Sequence, residues 1–262
     1  MNTKIPSKKN IAQSFSRRAK RYCSAAFIQR SILEKCIRSI EQDQTLAPQI
    51  WLDAGCGAGL LKKLLMEENI SVDLFQTDIA FDSVRCADLH AGKNRMSANA
   101  DIDNLPFKNS VFDGIISASV LHWMENPKTS VAEMMRVLKP GGMLVFAVFL
   151  KGSFHEVNLL RQNRNLPLPA RYFTDNQIQV IARELEFDIV EYTIQNEVYY
   201  FKTAREILQY LSDIGSTVYT GTMLSRKDLL LFCIEYEARF RTQQGIPLSC
   251  RYCWGKAVKR KM

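Results

Sequence analysis

The sequence predicts an α/β fold in which a mostly parallel sheet carries helices on both faces. Between residues 50 and 150, short apolar runs alternate with segments of helical periodicity, an order typical of parallel strands joined by crossover helices. The run at residues 143–150 is apolar throughout, as expected of a strand buried on both faces. A chain of 262 residues is long enough to bury one such core with insertions, so one integrated domain is expected.

The first elements follow one another in a regular order. Strands are predicted at residues 50–54, 72–77, 112–119 and 143–150, and helices at 60–68, 81–89 and 129–138. The first of these helices has four leucines on one face, which predicts that this face is buried. The last helix ends before Pro140, which cannot continue a helix, and Gly141 and Gly142 supply the turn.

After residue 150 the pattern changes. Residues 151–173 are polar and contain Pro167 and Pro169, which predicts an excursion or lid. Capping boxes that begin at Thr174 and Ser225 predict two helices, which end near residues 185 and 241. A strand is expected at 187–201, a helix at 203–211 and a final edge strand at 251–258.

The net charge of +8 comes from the two ends of the chain. Residues 1–33 contain eight basic and no acidic residues, and residues 251–262 contain five more basic residues and again no acidic one. The rest of the chain has 22 of the 35 Lys and Arg residues and all 27 Asp and Glu residues. The body of the protein is therefore mildly acidic, which argues against a nucleic-acid partner.

Composition also argues against several classes of protein. No apolar run approaches the roughly 18 residues that cross a bilayer, and no apolar segment follows the first lysines as in a secretory signal. The seven cysteines are scattered and odd in number, which favours reduced thiols in the cytoplasm. Cys250 and Cys253 form a lone C-x-x-C pair far from the three histidines, so no metal site is expected.

The strongest signal is a glycine-rich segment at residues 52–59, Leu-Asp-Ala-Gly-Cys-Gly-Ala-Gly, between the first strand and the first helix. Its glycines allow a sharp turn and a close approach of backbone to a ligand. The G-x-G-x-G spacing differs from the G-x-G-x-x-G of dinucleotide-binding enzymes. Asp78 ends the second strand, where it is suited to bind a ribose diol, and Asp101 follows the next expected strand.

These segments resemble the class I S-adenosylmethionine-dependent methyltransferases, which have a Rossmann-like, mostly parallel seven-stranded sheet. The resemblance covers about residues 50–150 and rests on five ordered segments: 52–59, 77–79, 101–107, 112–117 and 136–142. It implies S-adenosylmethionine as methyl donor, with no metal. The implied donor-binding residues are Asp53, Gly55, Cys56, Gly57, Gly59, Asp78, Ile79, Asp101, Ile102 and Ser117. In this scheme Asp78 holds the ribose, Asp101 and Ile102 face the adenine, and residues 117–121 line the sulfonium end.

The flanking segments, taken in order with this core, resemble the malonyl-acyl-carrier-protein O-methyltransferases of biotin synthesis. They are a helical face containing Phe15, Ala19, Tyr22, Ala26 and Gln29, followed by residues 151–156, 171–174, 211–216, 224–228 and 245–249. This resemblance implies an N-terminal helical cap at 1–45, a donor-binding core at 46–150, and a lid that also completes the sheet at 151–262. Because the resemblance includes the basic N-terminus, a wholly cleaved transit peptide is not expected.

The wider resemblance implies methylation of the free carboxylate of malonyl-acyl carrier protein, giving the methyl ester that primes pimeloyl and biotin synthesis. A carboxylate is already anionic at pH 7, so its attack on a sulfonium methyl needs no general base, and catalysis rests on positioning and desolvation. Tyr22, Arg171 and His122 are candidates to position the carboxylate. Each also has a purely structural interpretation: Tyr22 as a packed aromatic residue, Arg171 as a solvated charge in a loop, and His122 as a residue at the start of a helix.

Acyl carrier proteins are acidic, so the basic residues of the first helix have a possible partner. We consider Arg17, Arg18, Lys20 and Arg21 as a docking face, with a solvated helix face as the alternative. Other functions stay open: a methyltransferase for another small acid or quinone precursor, an arginine-hydroxylating assembly factor, or a non-catalytic regulator that binds the donor. A nucleic-acid methyltransferase is disfavoured because no Asn/Asp-Pro-Pro-Tyr segment is present.

Overall fold

The structure is a computed structural model that describes residues 6–41, 50–90, 96–166, 170, 172–185, 187–216 and 225–261. Within these ranges the helices are α1 (Lys8–Ala25), α2 (Phe27–Glu41), α3 (Leu60–Glu67), α4 (Phe81–His90), α5 (Pro127–Val137), α6 (His155–Asn163), α7 (Asp175–Glu184), α8 (Ala204–Asp213) and α9 (Arg226–Phe240). The strands are β1 (Ile50–Ala54), β2 (Asp73–Asp78), β3 (Ser97–Asn99), β4 (Phe112–Ala118), β5 (Leu138–Phe149), β6 (Phe187–Phe201) and β7 (Ile246–Lys259).

The seven strands form one sheet in the order β3-β2-β1-β4-β5-β7-β6. All neighbours from β3 to β5 are parallel, whereas β7 runs antiparallel to both β5 and β6. The predicted mostly parallel sheet is therefore confirmed. The strand order reverses between β1 and β4, and a crevice at the carboxyl ends of the strands beside such a reversal is where open α/β sheets bind their ligands.

Apolar clusters cover both faces of the sheet, as predicted. Alternate residues of β5 belong to opposite clusters. Val145 and Ala147 belong to the first cluster, with side chains of α2, α3, α6, α8 and α9. Leu144 and Phe146 belong to the second cluster, with side chains of α5 and α7. The four leucines on one face of α3 are all buried in the first cluster. Of the helices in the described ranges, none combines the length and apolarity that a bilayer crossing requires.

The final strand differs from its predicted place at the edge of the sheet. β7 begins at Ile246 and pairs with β5 on one side and β6 on the other, so the edge position belongs to β6. The burial of β7 explains this order, because Leu248, Tyr252 and Ala257 have no exposed surface. A strand buried in this way needs a neighbour on both sides, whereas β6 is partly or fully exposed along most of its length.

Two helical features also differ from the sequence-based expectations. The polar segment after residue 150 contains α6, whose few apolar residues, Val157 and Leu160 among them, are enough to bury one side of a short helix. The apolar face predicted to run from Phe15 to Gln29 is divided between two helices, because Ala26 leaves the helical conformation with a ψ of 49°. The chain changes direction there, so Phe15 and Gln29 do not share one face.

A close contact between β1 and β4 yields the first prediction. A Cβ at Gly114 would lie 2.5–2.6 Å from three atoms of the buried Trp51 ring, so the ring or the strand must move to admit one. We expect Gly114→Ala to lower the free energy of unfolding by about 1–3 kcal/mol in urea denaturation. The same substitution in a Trp51→Leu background should cost much less, since the obstructing ring is gone. Equal costs in the two backgrounds would contradict the contact as the cause.

Candidate active site

A cavity that is partly open to solvent lies at the carboxyl ends of β1, β2 and β4. Its walls come from α1, the loop after β1, the ends of β2 and β4, and the segments that follow β2, β3 and β4. The lining residues are Lys8, Ile11, Phe15, Tyr22, Gly55, Gly57, Thr77, Asp78, Ile79, Ala100, Asp101, Ile102, Ala118, Ser119, Val120, Trp123 and Met124. The cavity therefore occupies the crevice that the strand order predicts.

The glycine-rich loop forms one wall of the cavity, and its shape requires glycine. Gly57 has a φ of +53°, in the left-handed region that a side chain disfavours. The loop is tied to the end of β2, because the N–H groups of Gly55 and Cys56 both donate to the Thr77 carbonyl, at 2.8 and 2.9 Å. The Gly57 N–H donates to Asp78 Oδ2 at 2.9 Å. These bonds hold the loop backbone at the edge of the cavity.

Two carboxyl groups, one buried and one partly buried, lie at the glycine-rich end of the cavity. Asp78 accepts from Gly57 through Oδ2 and from the Ala80 N–H through Oδ1, at 2.7 Å. Burial raises the pKa of Asp78, although these two donors oppose the rise. Asp53 is 4% exposed, and its Oδ2 is buried without a hydrogen-bond partner. Burial, together with the charge of Asp78, raises the pKa of Asp53 well above its ordinary value.

A carboxylate cluster marks the opposite end of the cavity. Asp101 and Ile102 line it, as the resemblance implies for the adenine end. Lys8 Nζ lies 2.6 Å from Asp101 Oδ2 and 2.6 Å from Asp103 Oδ2, so one cation joins both carboxylates. Burial lowers the pKa of Lys8, but the hydrogen bonds and charges of the two carboxylates outweigh this effect and raise it.

Helix α1 covers the cavity with side chains that recur at helical spacing. Lys8, Ile11, Phe15 and Tyr22 all line the cavity. The Tyr22 ring lies against the glycine-rich loop, since a Cβ at Gly57 would be 3.7 Å from the ring. Burial, with smaller contributions from neighbouring negative groups, raises the pKa of Tyr22 well above its ordinary value. Phe15 packs edge-on against Trp123 with ring centroids 5.5 Å apart.

Six of the ten residues selected from sequence for donor binding line the cavity: Gly55, Gly57, Asp78, Ile79, Asp101 and Ile102. The other four occupy positions behind the wall. Ser117 is completely buried and its hydroxyl donates to the Ala54 carbonyl at 3.0 Å, so its role in the fold is to join β4 to β1. The Cys56 thiol is buried, and burial raises its pKa well above the ordinary value. Asp53 lies buried next to Asp78, as described above.

Gly59 has a packing role of its own. It lies at the start of α3 with a φ of +85°, and a Cβ there would be 2.8 Å from the Ala87 Cα of α4. Only glycine allows these two helices to approach so closely.

Of the other two proposed positioning residues, the structure describes His122 but not Arg171. His122 is buried beside Phe149 and Trp123, with ring centroids 5.0 and 5.2 Å away, and its Nδ1 has no hydrogen-bond partner. Burial lowers the pKa of His122 to about 3, so the imidazole is neutral at physiological pH. Arg171 lies outside the described residues.

Some lining residues were not selected from sequence. Lys8 and Ile11 precede the segment that carried the resemblance, and Met124 follows the predicted sulfonium end. The sequence feature that could have indicated Lys8, Ile11 and Phe15 is their regular spacing, because it places them on one side of a helix. The sequence alone did not indicate what that side contacts.

The cavity fits S-adenosylmethionine, which is cationic at its amino group and sulfonium centre and also carries a ribose and an adenine. The unpartnered Asp53 oxygen and the Asp78 carboxylate match the cationic groups and the ribose hydroxyls in chemical type. The glycine-rich loop presents backbone free of side chains. Among the residues that the structure describes, no group of three or more His, Cys, Asp or Glu side chains is arranged to hold a metal ion.

Comparisons with known proteins define the class. Residues 52–146 match a protein family described as "Methyltransferase domain", and this stretch contains β1 to β5 with the glycine-rich loop. A solved structure, the YcgJ protein of Bacillus subtilis, has the same fold with a TM-score of 0.59 and 17% sequence identity, covering 87% of this chain and 99% of that one. The fold is therefore the Rossmann-like fold of class I methyltransferases, and residues 52–146 match a methyltransferase domain in sequence.

The similarity extends beyond the core to nearly the whole chain. The malonyl-[acyl-carrier protein] O-methyltransferase of Geobacter sulfurreducens is 27% identical over 95% of this chain and 97% of its own length. The protein of the same name from a Marinomonas species is 27% identical over 92% of this chain and 90% of its own length. The N-terminal helices and the segments after β5 are therefore included in the similarity, as the sequence-based resemblance predicted.

The buried Asp53 carboxyl yields a prediction on stability and pH. A carboxyl whose pKa is raised by folding keeps its proton while the unfolded chain loses one, so it destabilises the fold as pH rises above the unfolded value near 4. We expect Asp53→Asn to raise the melting temperature of the ligand-free protein, and the gain should increase between pH 5 and pH 8. The affinity for S-adenosylhomocysteine should fall about tenfold, or ~1.4 kcal/mol, in calorimetric titrations.

Asp73→Asn supplies the control, because Asp73 is exposed at the start of the same strand, β2. It should change neither the pH dependence nor the affinity. If Asp53→Asn followed the wild-type pH dependence of melting, the buried carboxyl would not carry the cost assigned to it.

Proposed function

We propose that the protein transfers the methyl group of S-adenosylmethionine to the free carboxylate of malonyl-acyl carrier protein, in the cytoplasm. The product is a malonyl methyl ester, which serves the pimeloyl and biotin branch of synthesis. Similarity over nearly the whole chain to two proteins with this activity in their names supports the proposal. Since their identity to this chain is 27%, the choice of acyl acceptor rests on the chemistry of the site.

The observation that carries the proposal is the protonation state of Tyr22 and His122, two of the side chains proposed to position the acceptor. Tyr22 lies against Gly57 and keeps its proton, because burial raises its pKa. His122, in the segment after β4, has a pKa lowered to about 3 and is therefore a very weak base. An amine or phenol acceptor needs a base to remove its proton, whereas a carboxylate is already ionised. This environment favours an acceptor that arrives as an anion.

In this proposal the chain contributes positioning and exclusion of water. Bound S-adenosylmethionine supplies a methyl group activated by a sulfonium centre. The Tyr22 phenol, as a protonated donor, can hold one carboxylate oxygen by a hydrogen bond while the other remains available for attack. Phe15, Trp123 and Met124 make this part of the wall apolar, which removes water from the nucleophile. Arg171 remains a proposed second anchor for the carboxylate, and His122 a proposed neutral neighbour.

The basic residues of α1 differ in their surroundings. Arg17 and Lys20 are exposed, one turn apart on the outer side of the helix. Arg21 lies 3.5 Å from Asp213 of α8, and Arg18 is partly buried. We therefore assign Arg17 and Lys20 the main part of the docking face for an acidic carrier protein, with Arg18 and Arg21 at its border. The cap at 1–45 and the lid at 151–262 remain part of the same proposal.

The substrate is tested by a labelled-methyl transfer assay. We expect malonyl-acyl carrier protein to be methylated most efficiently, a malonyl thioester of a small thiol less efficiently, and free malonate least. The product should be a methyl ester that mild base hydrolyses. Acetyl-acyl carrier protein, which lacks the free carboxylate, is the matched control and should accept no label. Labelling of a quinone precursor or of another small acid in preference to the malonyl substrates would contradict the proposed acceptor.

Charge reversal tests the docking face. The double variant Arg17→Glu, Lys20→Glu should raise the KM for malonyl-acyl carrier protein about tenfold at low salt, because complementary charge chiefly assists encounter. The KM for a small malonyl thioester should change less than about twofold. Arg226→Glu, Lys227→Glu reverses two exposed charges on α9 and should leave both values near wild type. An equal loss on both substrates would place these α1 residues in the site itself rather than in docking.

A further inference from the structure

We propose that α1 is a lid over the methyl-donor cavity, hinged at Ala26 and latched by Lys8 between Asp101 and Asp103, so that the latch must open for the spent donor to leave. The proposal concerns donor exchange and rests on the methyl-donor site, not on the choice of acyl acceptor.

The first observation is that one helix spans the whole cavity. The Lys8 end of α1 lies at the Asp101 end of the cavity, and Tyr22 lies at the glycine-rich end, against Gly57. Tyr22 lies fourteen positions after Lys8, a separation of about 21 Å along a helix, which matches an elongated ligand more than a compact one. Because Ile11 and Phe15 also line the cavity between these ends, a ligand bound there has α1 along its length.

The second observation is that the two ends of α1 are held differently. Beyond Ala26, which is 1% exposed, α2 is anchored in the core by the buried side chains of Ile28, Ile32 and Cys36. Hydrogen bonds continue across the junction from the Ala26 N–H to the Tyr22 carbonyl, while the ψ of Ala26 changes the chain direction. A single non-helical residue between a lid and an anchored helix is a typical hinge.

The third observation is that the latch joins a cation on the lid to carboxylates fixed in the core. Asp103 accepts a hydrogen bond from the buried Ser130 hydroxyl of α5. Asp101 accepts one from the Asp103 N–H through Oδ1, at 3.0 Å, so its Oδ2 is left for Lys8. The acceptors are therefore held by the donor-binding core, whereas Lys8 belongs to the first turn of α1 and moves with it.

The geometry also gives Lys8 a positioning role. Asp101 lines the end of the cavity where the resemblance places the adenine, and Lys8 holds that carboxylate from the lid side. Closing the lid therefore orients Asp101 and covers the end of the cavity in one movement. When the lid opens, Asp101 loses its orientation and the end of the cavity is uncovered, so release of the ligand is coupled to rupture of the ion pairs.

The test compares Lys8→Met with Lys9→Met in the full chain. Methionine keeps much of the aliphatic stem of lysine and removes the charge, and Lys9 is an exposed neighbour on the same turn. Stopped-flow dissociation of S-adenosylhomocysteine should be about five- to tenfold faster for Lys8→Met, and close to wild type for Lys9→Met. Wild-type dissociation should accelerate between about 50 and 500 mM NaCl, and the acceleration should be much smaller in Lys8→Met, where only the longer Arg21–Asp213 ion pair, at 3.5 Å, still joins α1 to α8.

A second readout distinguishes a latch from a general loss of structure. In the ligand-free protein, hydrogen exchange in the first turns of α1 should accelerate in Lys8→Met, while exchange in α2 stays at the wild-type rate. Lys8→Arg keeps the charge and should restore slow dissociation. Equal dissociation rates for Lys8→Met and Lys9→Met, or a salt response as large in Lys8→Met as in the wild type, would overturn the latch alone. Failure of the wild type to bind S-adenosylhomocysteine would overturn the methyl-donor site itself, and with it the lid.

Discussion

The tie between the glycine-rich loop and the end of β2 is the interaction on which the site depends. Two backbone N–H groups, of Gly55 and Cys56, converge on the Thr77 carbonyl, and the next glycine, Gly57, donates to Asp78. Because β1 and β2 are parallel neighbours, both strands end at the same edge, and the bonds fix the loop across that edge. The position of Asp78, the space beneath Tyr22 and the entry of the chain into α3 all follow from this backbone geometry. No side chain of the loop is needed to produce it, which is why small residues fill the segment.

The same geometry brings the buried Asp53 close to the partly buried Asp78, and this arrangement costs stability in the absence of a ligand. Asp78 recovers part of the cost through two backbone donors, whereas Asp53 leaves Oδ2 unpartnered. Binding a cation supplies what the empty fold lacks, so the free energy lost in folding is returned on binding. A site of this kind is poised for a positively charged ligand, and the sulfonium donor of the methyltransferase class has that charge.

The sequence could predict those parts of the molecule that are encoded locally. The glycine spacing and the acids at 78 and 101 placed the cavity at the correct edge, and the period of apolar residues placed most helices and strands. Features set by tertiary context were missed. The position of β7 between β5 and β6 depends on which faces are buried, and the partners of Lys8 lie more than ninety residues away. Ser117 also has a role that its motif did not indicate: its hydroxyl joins β4 to β1 through the Ala54 carbonyl.

The distribution of charge gives the net value of +8 a physical interpretation. Carboxyl groups lie at both ends of the donor cavity, the Tyr22 phenol and the His122 imidazole carry no charge, and exposed cations lie on the outer side of α1. A cationic donor is matched by the acids, and the two uncharged side chains avoid quenching an anionic acceptor before it reacts. The cations lie outside, where they attract an acidic partner without entering the reaction. Helix α1 carries Lys8 at the Asp101 end of the cavity, Tyr22 at the glycine-rich end and Arg17 on its outer side. One helix therefore connects donor retention, acceptor positioning and partner encounter, and its movement affects all three.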